Sequence, residues 1–201
     1  MNMFGIKEIV IASNNAGKLR EIDAILKPLG LTPIAQSTFN VPEAEEPYPT
    51  FVENALTKAR NAARHTGMPA LADDSGICVN ALHGAPGVIS ARYAGEPKSD
   101  QRNNQKLVEA LKDEDDRSAY YYAAMVLVRH ADDPQPLIAE GRWAGQVIDT
   151  PRGANGFGYD PYFFLPDLNK TAAELDAHEK NLVSHRGKAL RRLAALIKEQ
   201  W

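Results

Sequence analysis

The sequence predicts an α/β fold: a mixed sheet with flanking helices and a second lobe. Strand and helix patterns alternate through the first half of the chain, whereas the two long strand patterns of the second half follow one another directly. Composition agrees with a packed core. The 201 residues are 44% hydrophobic and 24% charged, and a chain of that length buries about 70% of its unfolded surface.

The elements follow in order. Ile6 to Ala12 is a strand, its Ile9-Val10-Ile11 run suited to a buried sheet position. Ser13-Asn14-Asn15 breaks it, and from Ala16 a helix places Leu19, Ile22, Ile25, Leu26 and Leu29 on one face before stopping at Gly30. Leu31 to Gln36 is a second strand, followed by an acidic, proline-punctuated loop. A second helix covers Thr50 to Thr66, with Phe51, Ala55, Leu56, Ala59 and Ala62 inward and Gly67 ending it. Ala70-Leu71-Ala72 and Ile77-Cys78-Val79 read as short strands joined by an Asp73-Asp74-Ser75-Gly76 turn. Residues 83 to 98 are irregular, and Ser99 or Asp100 caps a helix reaching Leu111. Ala119 to Arg129 and Leu137 to Val147 are long strands. A Gly-rich loop, Arg152 to Pro161, leads into the apolar Tyr162 to Leu165. Thr171 with Glu174 forms a capping box, and a last helix runs from about Arg186 to Glu199. No repeat, low-complexity tract or linker interrupts the chain, so residues 1–201 read as one domain.

Several classes are excluded. With 23 basic and 26 acidic side chains the net charge is −3, which gives no basic face for nucleic acid or a membrane surface. The single Cys78 forms no intrachain disulfide and no multi-cysteine metal site. No apolar run approaches the roughly 18 residues of a membrane span, and the first residues lack signal-peptide character. A cytoplasmic globule is expected. The histidines lack zinc-ligand spacing, and no serine sits in a nucleophile elbow.

Five loops could carry chemistry. Ser13-Asn14-Asn15-Ala16-Gly17-Lys18 joins a strand to a helix, where free amides and the helix dipole attract anions. It reads equally as a helix capped by Asn15 or Ser13. It is no Walker loop, because Ala12 replaces the first glycine and Leu19 the Ser/Thr. Asp73-Asp74-Ser75-Gly76 offers carboxylate ligands for magnesium or a general base, or else a solvated turn. The acidic run Glu43 to Glu46 is a solvated surface unless it folds over Asp74. Asn155 to Pro161 places Phe157 between glycines, either for stacking on a base or for core packing. Lys180 and Ser184 to Lys188 gather donors at the start of the last helix, suited to phosphates, to base carbonyls, or simply to solvent.

In this order the motifs resemble the inosine triphosphate pyrophosphatases, also called non-canonical purine nucleoside triphosphate pyrophosphatases. The matching runs are SNNAGK at 13–18, TFVENA at 50–55, ADDSG at 72–76, GAPG at 84–87 and SARY at 90–93. GFGYDP at 156–161, KTAAEL at 170–175 and SHRG at 184–187 complete the set, which spans nearly the whole chain. The resemblance implies an elongated α/β fold with two lobes around a central nucleotide cleft, a homodimer, and Mg²⁺-dependent hydrolysis of ITP, dITP or XTP to monophosphate and pyrophosphate. It also implies site roles. Ser13, Asn14, Asn15, Ala16, Gly17 and Lys18 contact the triphosphate, with Lys58 reaching the phosphates. Asp74 is proton acceptor and metal ligand, and Glu45 is the second metal ligand with Glu46 as substitute. Ser75 contacts substrate, and Phe157, Gly158, Tyr159, Asp160, Lys180, His185 and Arg186 form the base-recognition side. Asn14 stands where many members have glycine, and Asn tolerates left-handed angles better than most residues. Two rivals remain: a nucleotide sensor without turnover, and a phosphatase releasing single phosphates.

Overall fold

The structure, a computed structural model, describes residues 6–200; the first five residues and Trp201 lie outside it. Seven strands hydrogen-bond in the order β2-β1-β3-β4-β5-β6-β7. They are β1 (Glu8–Ile11), β2 (Thr32–Ala35), β3 (Ala70–Val79), β4 (Ser118–Val128), β5 (Leu137–Val147), β6 (Phe163–Leu165) and β7 (Lys170–Thr171). The sheet is mixed: β1 pairs in parallel with β2 and β3, while β5/β6 and β6/β7 are antiparallel. The helices are α1 (Ala16–Leu26), α2 (Phe51–Thr66), α3 (Asp100–Ala110), α4 (Ala177–Val183) and α5 (His185–Gln200). The chain forms two compact units. The first contains residues up to Asp74, Ala123–Glu140 and the chain from Gly187, and the second contains Ser75–Tyr122 and Gly141–Arg186.

Strand alternation organises the first unit. Side chains of successive strand residues leave opposite faces. Ile9, Ile11 and Leu71 therefore join Ile22 and Leu26 of α1 and Leu190, Leu193 and Ile197 of α5 in one apolar layer. Val10, Ala12, Ala70 and Ala72 face the other way, onto Ala55, Ala59 and Ala62 of α2. Those alanines recur every turn and let the helix backbone lie close to the sheet. The helix is capped by the Thr50 hydroxyl, which accepts from the Glu53 N–H, and it ends at Gly67 in the left-handed region (φ 68°).

The second unit has its own core. Ile77, Val79, Leu107, Tyr121, Trp143 and Phe163 are among its buried members. Ser99 caps α3, as the sequence suggested. Thr171 and Glu174 form the expected capping box, which opens a three-residue 3-10 helix.

Two sequence expectations need correction. Asp73 to Gly76 is no turn but the middle of the ten-residue strand β3. Turn-forming residue types yield here because both carboxylates find cationic partners within the fold, so extended backbone costs them nothing in solvation. Lys180 does not begin the last helix. It lies on α4, capped by Asp176 and Glu179 in a reciprocal box and separated from α5 by the extended Ser184.

Candidate active-site groups

The charged cluster of the first unit follows from the same alternation. Asp73 leaves β3 on the face of Leu71 and meets Lys18 of α1 at 2.7 Å. Asp74 leaves on the face of Ala72, toward α2. There the Lys58 ammonium lies 3.5 Å from Asp74 Oδ1, and the Asn54 amide donates to Oδ2 at 3.4 Å. Asn54 and Lys58 are one helical turn apart and so share a face. Lys58 also makes a short contact with Glu46. The Asn54 side chain exchanges two hydrogen bonds with the Tyr48 backbone, and Asn61 donates to the Pro42 carbonyl at 2.8 Å. The acidic loop therefore runs antiparallel along α2, with its backbone or side chains held at 54, 58 and 61.

Burial and neighbouring charges compete within this cluster. Burial lifts the Asp74 carboxyl above its ordinary range, and the charges of Glu46 and Asp73 add to the lift; Lys58 and the Asn54 hydrogen bond oppose it. Burial works to lower the Lys58 ammonium, but Asp74, Asp73 and Glu46 outweigh it and hold the group above its usual value. A buried carboxylate with raised proton affinity is a competent general base. Among the described residues no three His, Cys, Asp or Glu side chains converge as a closed metal cage. Asp74 and Glu46, meeting on one cationic side chain, suit a magnesium ion, which uses one or two carboxylates and completes its shell with phosphates and water.

The start of α1 is a capped helix N-terminus. Asn15 Oδ1 accepts from the Gly17 and Lys18 backbone N–H groups at 2.8 and 3.1 Å, and the Asn15 backbone N–H donates to Ser13 Oγ at 3.1 Å. Asn14 and Asn15 are exposed, Ser13 half-buried. The Ala16 side chain lies outside the described set.

The second unit contains a cavity of about 130 Å³ lined by Ser75, Ser90, Tyr121, Phe157 to Asp160, Lys180, His185 and Arg186, among others. That size is comparable with a cavity of roughly 150 Å³ known to take one benzene ring. Tyr121 and His185 of its lining belong to a ring cluster that Trp143 and Phe163 extend behind the wall. The Tyr121 and His185 rings stack at 4.7 Å and 9°, Trp143 continues the stack 6.3 Å from Tyr121, and Phe163 tilts against Tyr121. Asp160, 2% exposed, organises the loop before it. One oxygen accepts from the Lys180 ammonium at 2.5 Å and the Phe157 amide at 2.9 Å; the other accepts from the Tyr121 hydroxyl at 3.3 Å. Burial, with the Asp160 charge second, pushes the Tyr121 hydroxyl far up, so it remains a donor. Gly156 makes this possible: at φ 75° it has no room for a Cβ, which would fall 2.1 Å from Asp160 Oδ2. Asp100 and Asn104 of α3 hold Gly158 from the far side at 2.8 Å each. Phe157 is left 52% exposed, with Lys180 over its ring at 4.8 Å. Arg186, 4% exposed, donates to Ser75 Oγ at 3.3 Å.

Set against the sequence-based assignment, Lys18, Lys58 and Asp74 fall within the charged cluster. Ser75, Phe157, Gly158, Tyr159, Asp160, Lys180, His185 and Arg186 all line the cavity. Glu45 is the exception. It is exposed, and Glu46 is the residue that reaches Lys58, because a loop laid along a helix turns neighbouring side chains different ways. Sequence reasoning missed Asn54 and Tyr121. Tyr121 was available from the inward alternation Ala119, Tyr121, Ala123, and Asn54 from its one-turn spacing to Lys58. Burial pushes the Cys78 thiol up, which fits a core side chain and not a nucleophile.

Fold and side chains together define a mixed-sheet α/β protein with a carboxylate–lysine cluster in one unit and a ring-sized aromatic cavity in the other. Comparison with known proteins narrows that class. The Ham1 family model matches residues 9–196, and the chain belongs to the Ham1 family. It is 64% identical over 194 residues to a protein of Nitrosomonas europaea named dITP/XTP pyrophosphatase, covering 96% of each chain. A protein of the same name from Chromobacterium violaceum is 63% identical over 191 residues, covering 95% of this chain and 97% of that one. Among solved structures, a HAM1 protein from Coxiella burnetii matches with a TM-score of 0.93 at 50% identity, covering 96% of this chain and all of that one. Among the described residues no helix is long and apolar enough to cross a membrane.

Proposed function

We propose that this protein is a nucleoside triphosphate pyrophosphohydrolase that converts ITP, dITP and XTP to the monophosphate and pyrophosphate, cleansing the nucleotide pool. The observation that carries the reading is Asp74: a buried carboxylate of raised proton affinity, beside Lys58 and Glu46. The near-full-length relatives named dITP/XTP pyrophosphatase support the same activity.

Asp74 accepts a proton from, or orients, the water that attacks the α-phosphorus. Lys18 and Lys58 hold the triphosphate oxygens for in-line displacement, aided by Ser13 and the amides at the start of α1. Asp74 and Glu46, in place of Glu45, would hold Mg²⁺, which when bound neutralises charge on the departing pyrophosphate.

Base choice belongs to the aromatic cavity. Hypoxanthine and xanthine carry an oxygen at C6 where adenine carries an amino group. Donors from Arg186, His185 or backbone amides aimed at that oxygen meet adenine donor to donor. Leaving such buried groups unpaired discriminates by up to about 10⁴-fold. The exposed Phe157 ring offers a stacking face. The enzyme works in the cytoplasm as a homodimer, an assembly that sedimentation at micromolar concentration checks.

Incubation with Mg²⁺ and each of ITP, XTP, ATP and GTP, with pyrophosphate and orthophosphate assayed separately, tests the reading. Pyrophosphate from ITP and XTP, with little from ATP or GTP, is expected. Orthophosphate as the product, or equal turnover of all four, overturns it.

A further inference from the structure

We infer that Asn54 is a positioning residue that holds the acidic loop and Asp74 in register, so that the Glu46 and Asp74 carboxylates face one another. The inference rests on the proposed function and concerns a residue outside the triphosphate and base contacts assigned above.

The geometry is specific. Asn54 is 1% exposed, and its amide is shared between two partners, the Tyr48 backbone and the Asp74 carboxylate. Toward the loop it acts like a strand neighbour: its oxygen accepts from the Tyr48 N–H at 3.1 Å, and its NH₂ donates to the Tyr48 carbonyl at 3.0 Å. Toward the sheet the same NH₂ donates to Asp74 Oδ2 at 3.4 Å. One turn on, Lys58 repeats the pattern with side chains alone, linking Glu46 to Asp74 Oδ1. The two rungs address the two oxygens of one carboxylate, but they differ in kind. Lys58 is a flexible cation whose bond to either carboxylate yields to another cation. Asn54 is neutral and short, and its backbone pairing with Tyr48 is unaffected by what binds the carboxylates. It therefore keeps the loop in place when charge in the cluster changes. Groups that orient metal-binding carboxylates in this way are worth about 10- to 100-fold in metal affinity or activity.

Asn54→Ala and Asn54→Ser remove the shared amide; Asn61→Ala, which loosens only the Pro42 end of the loop, is the control. Backbone amide hydrogen exchange across residues 43–49 is measured without nucleotide. The Mg²⁺ concentration for half-maximal XTP turnover is measured alongside the XTP KM at saturating Mg²⁺. The Asn54 variants are expected to speed exchange at Tyr48 about 10-fold and to raise the half-saturating Mg²⁺ concentration about 10-fold, with KM moving much less. Asn61→Ala is expected to leave the Mg²⁺ requirement unchanged. Asn54 variants that lower the melting temperature yet keep wild-type exchange at Tyr48 and a wild-type Mg²⁺ requirement make the residue purely structural and overturn the inference. If Asn54→Ala fails to fold, Asn54→Ser decides between the same two outcomes. Failure of the wild-type protein to release pyrophosphate from XTP would instead overturn the proposed function, while the exchange at Tyr48 would still report on the clamp.

Discussion

Each unit buries acidic side chains, but the two treat them differently. In the first, Asp73 pairs with Lys18, while Asp74 and Glu46 meet on Lys58. Burial, with the charges of Glu46 and Asp73 beside it, holds the Asp74 carboxyl above its ordinary range. In the second, Asp160 is matched by one ammonium, one amide and one hydroxyl, all internal. A carboxyl of raised proton affinity can take up a proton or a cation, which is a chemical capability. Asp160 is mechanically fixed, and what it contributes is the shape of the loop that carries Phe157. One buried carboxyl is thus tuned in proton affinity, while the other fixes a loop.

The largest effect that sharpens this contrast is expected from Asp74→Asn. It should lower kcat by about 10³-fold or more, because the proton acceptor is lost and the carboxylate pair that would hold Mg²⁺ loses one charge with it; single-turnover kinetics with XTP at saturating Mg²⁺ check this. A variant with near-normal turnover removes Asp74 from catalysis. Next is Gly156→Ala, whose added Cβ collides with the Asp160 carboxylate. It should cost about 10²-fold in kcat/KM through misplacement of the Phe157 loop, with the Mg²⁺ requirement unchanged. If the Mg²⁺ requirement moves instead, the separation of roles fails. Third, Glu46→Gln should raise the Mg²⁺ needed for half-maximal turnover about 10-fold, while Glu45→Gln leaves it unchanged. The opposite ranking would restore Glu45 as ligand.

The smallest effect concerns stability, away from both sites. Asp133 is fully buried and accepts two bonds from the Arg129 guanidinium and two from the backbone amides of Arg129 and Gln135. The Arg129 hydrogen bonds hold its carboxyl well below the usual carboxylate range against the opposing effect of burial. A depressed carboxyl stabilises the fold above its unfolded pKa of about 3.9, and that stability is lost as pH falls toward the folded value. Asp133→Asn should therefore lower the unfolding free energy at pH 7 by about 2 kcal/mol. The gap from wild type should narrow progressively below about pH 4. Urea titrations across that range measure it.

Much of this was legible in the sequence where a local rule governs. Helix ends were marked by Thr50, Gly67 and Ser99, and core faces by the spacing of Ile22 and Leu26 or of Ala55, Ala59 and Ala62. The cavity residues were legible only as an ordered set of motifs, because Phe157, Lys180 and His185 come together through the sheet and not through spacing. Errors arose where tertiary partners override local preference. Asp73 to Gly76 has turn composition, yet it is strand because Lys18 and Lys58 approach from opposite faces. The choice between Glu45 and Glu46 was open rather than wrong, because they are chemically identical neighbours and only the path of the loop along α2 brings Glu46 to Lys58. Asn54 sits in a helix whose apolar pattern hides it, and its role depends on Tyr48 and Asp74, six and twenty residues away.

The most direct test of the separation of roles is the ratio of kcat/KM for XTP over ATP, measured in the wild type, Asp74→Asn and Arg186→Ala. Asp74→Asn is expected to slow both nucleotides alike and leave the ratio at its wild-type value, whereas Arg186→Ala is expected to collapse the ratio with a much smaller loss of kcat on XTP. A ratio that collapses in Asp74→Asn, or survives Arg186→Ala intact, would contradict the assignment of chemistry to the charged cluster and base choice to the aromatic cavity.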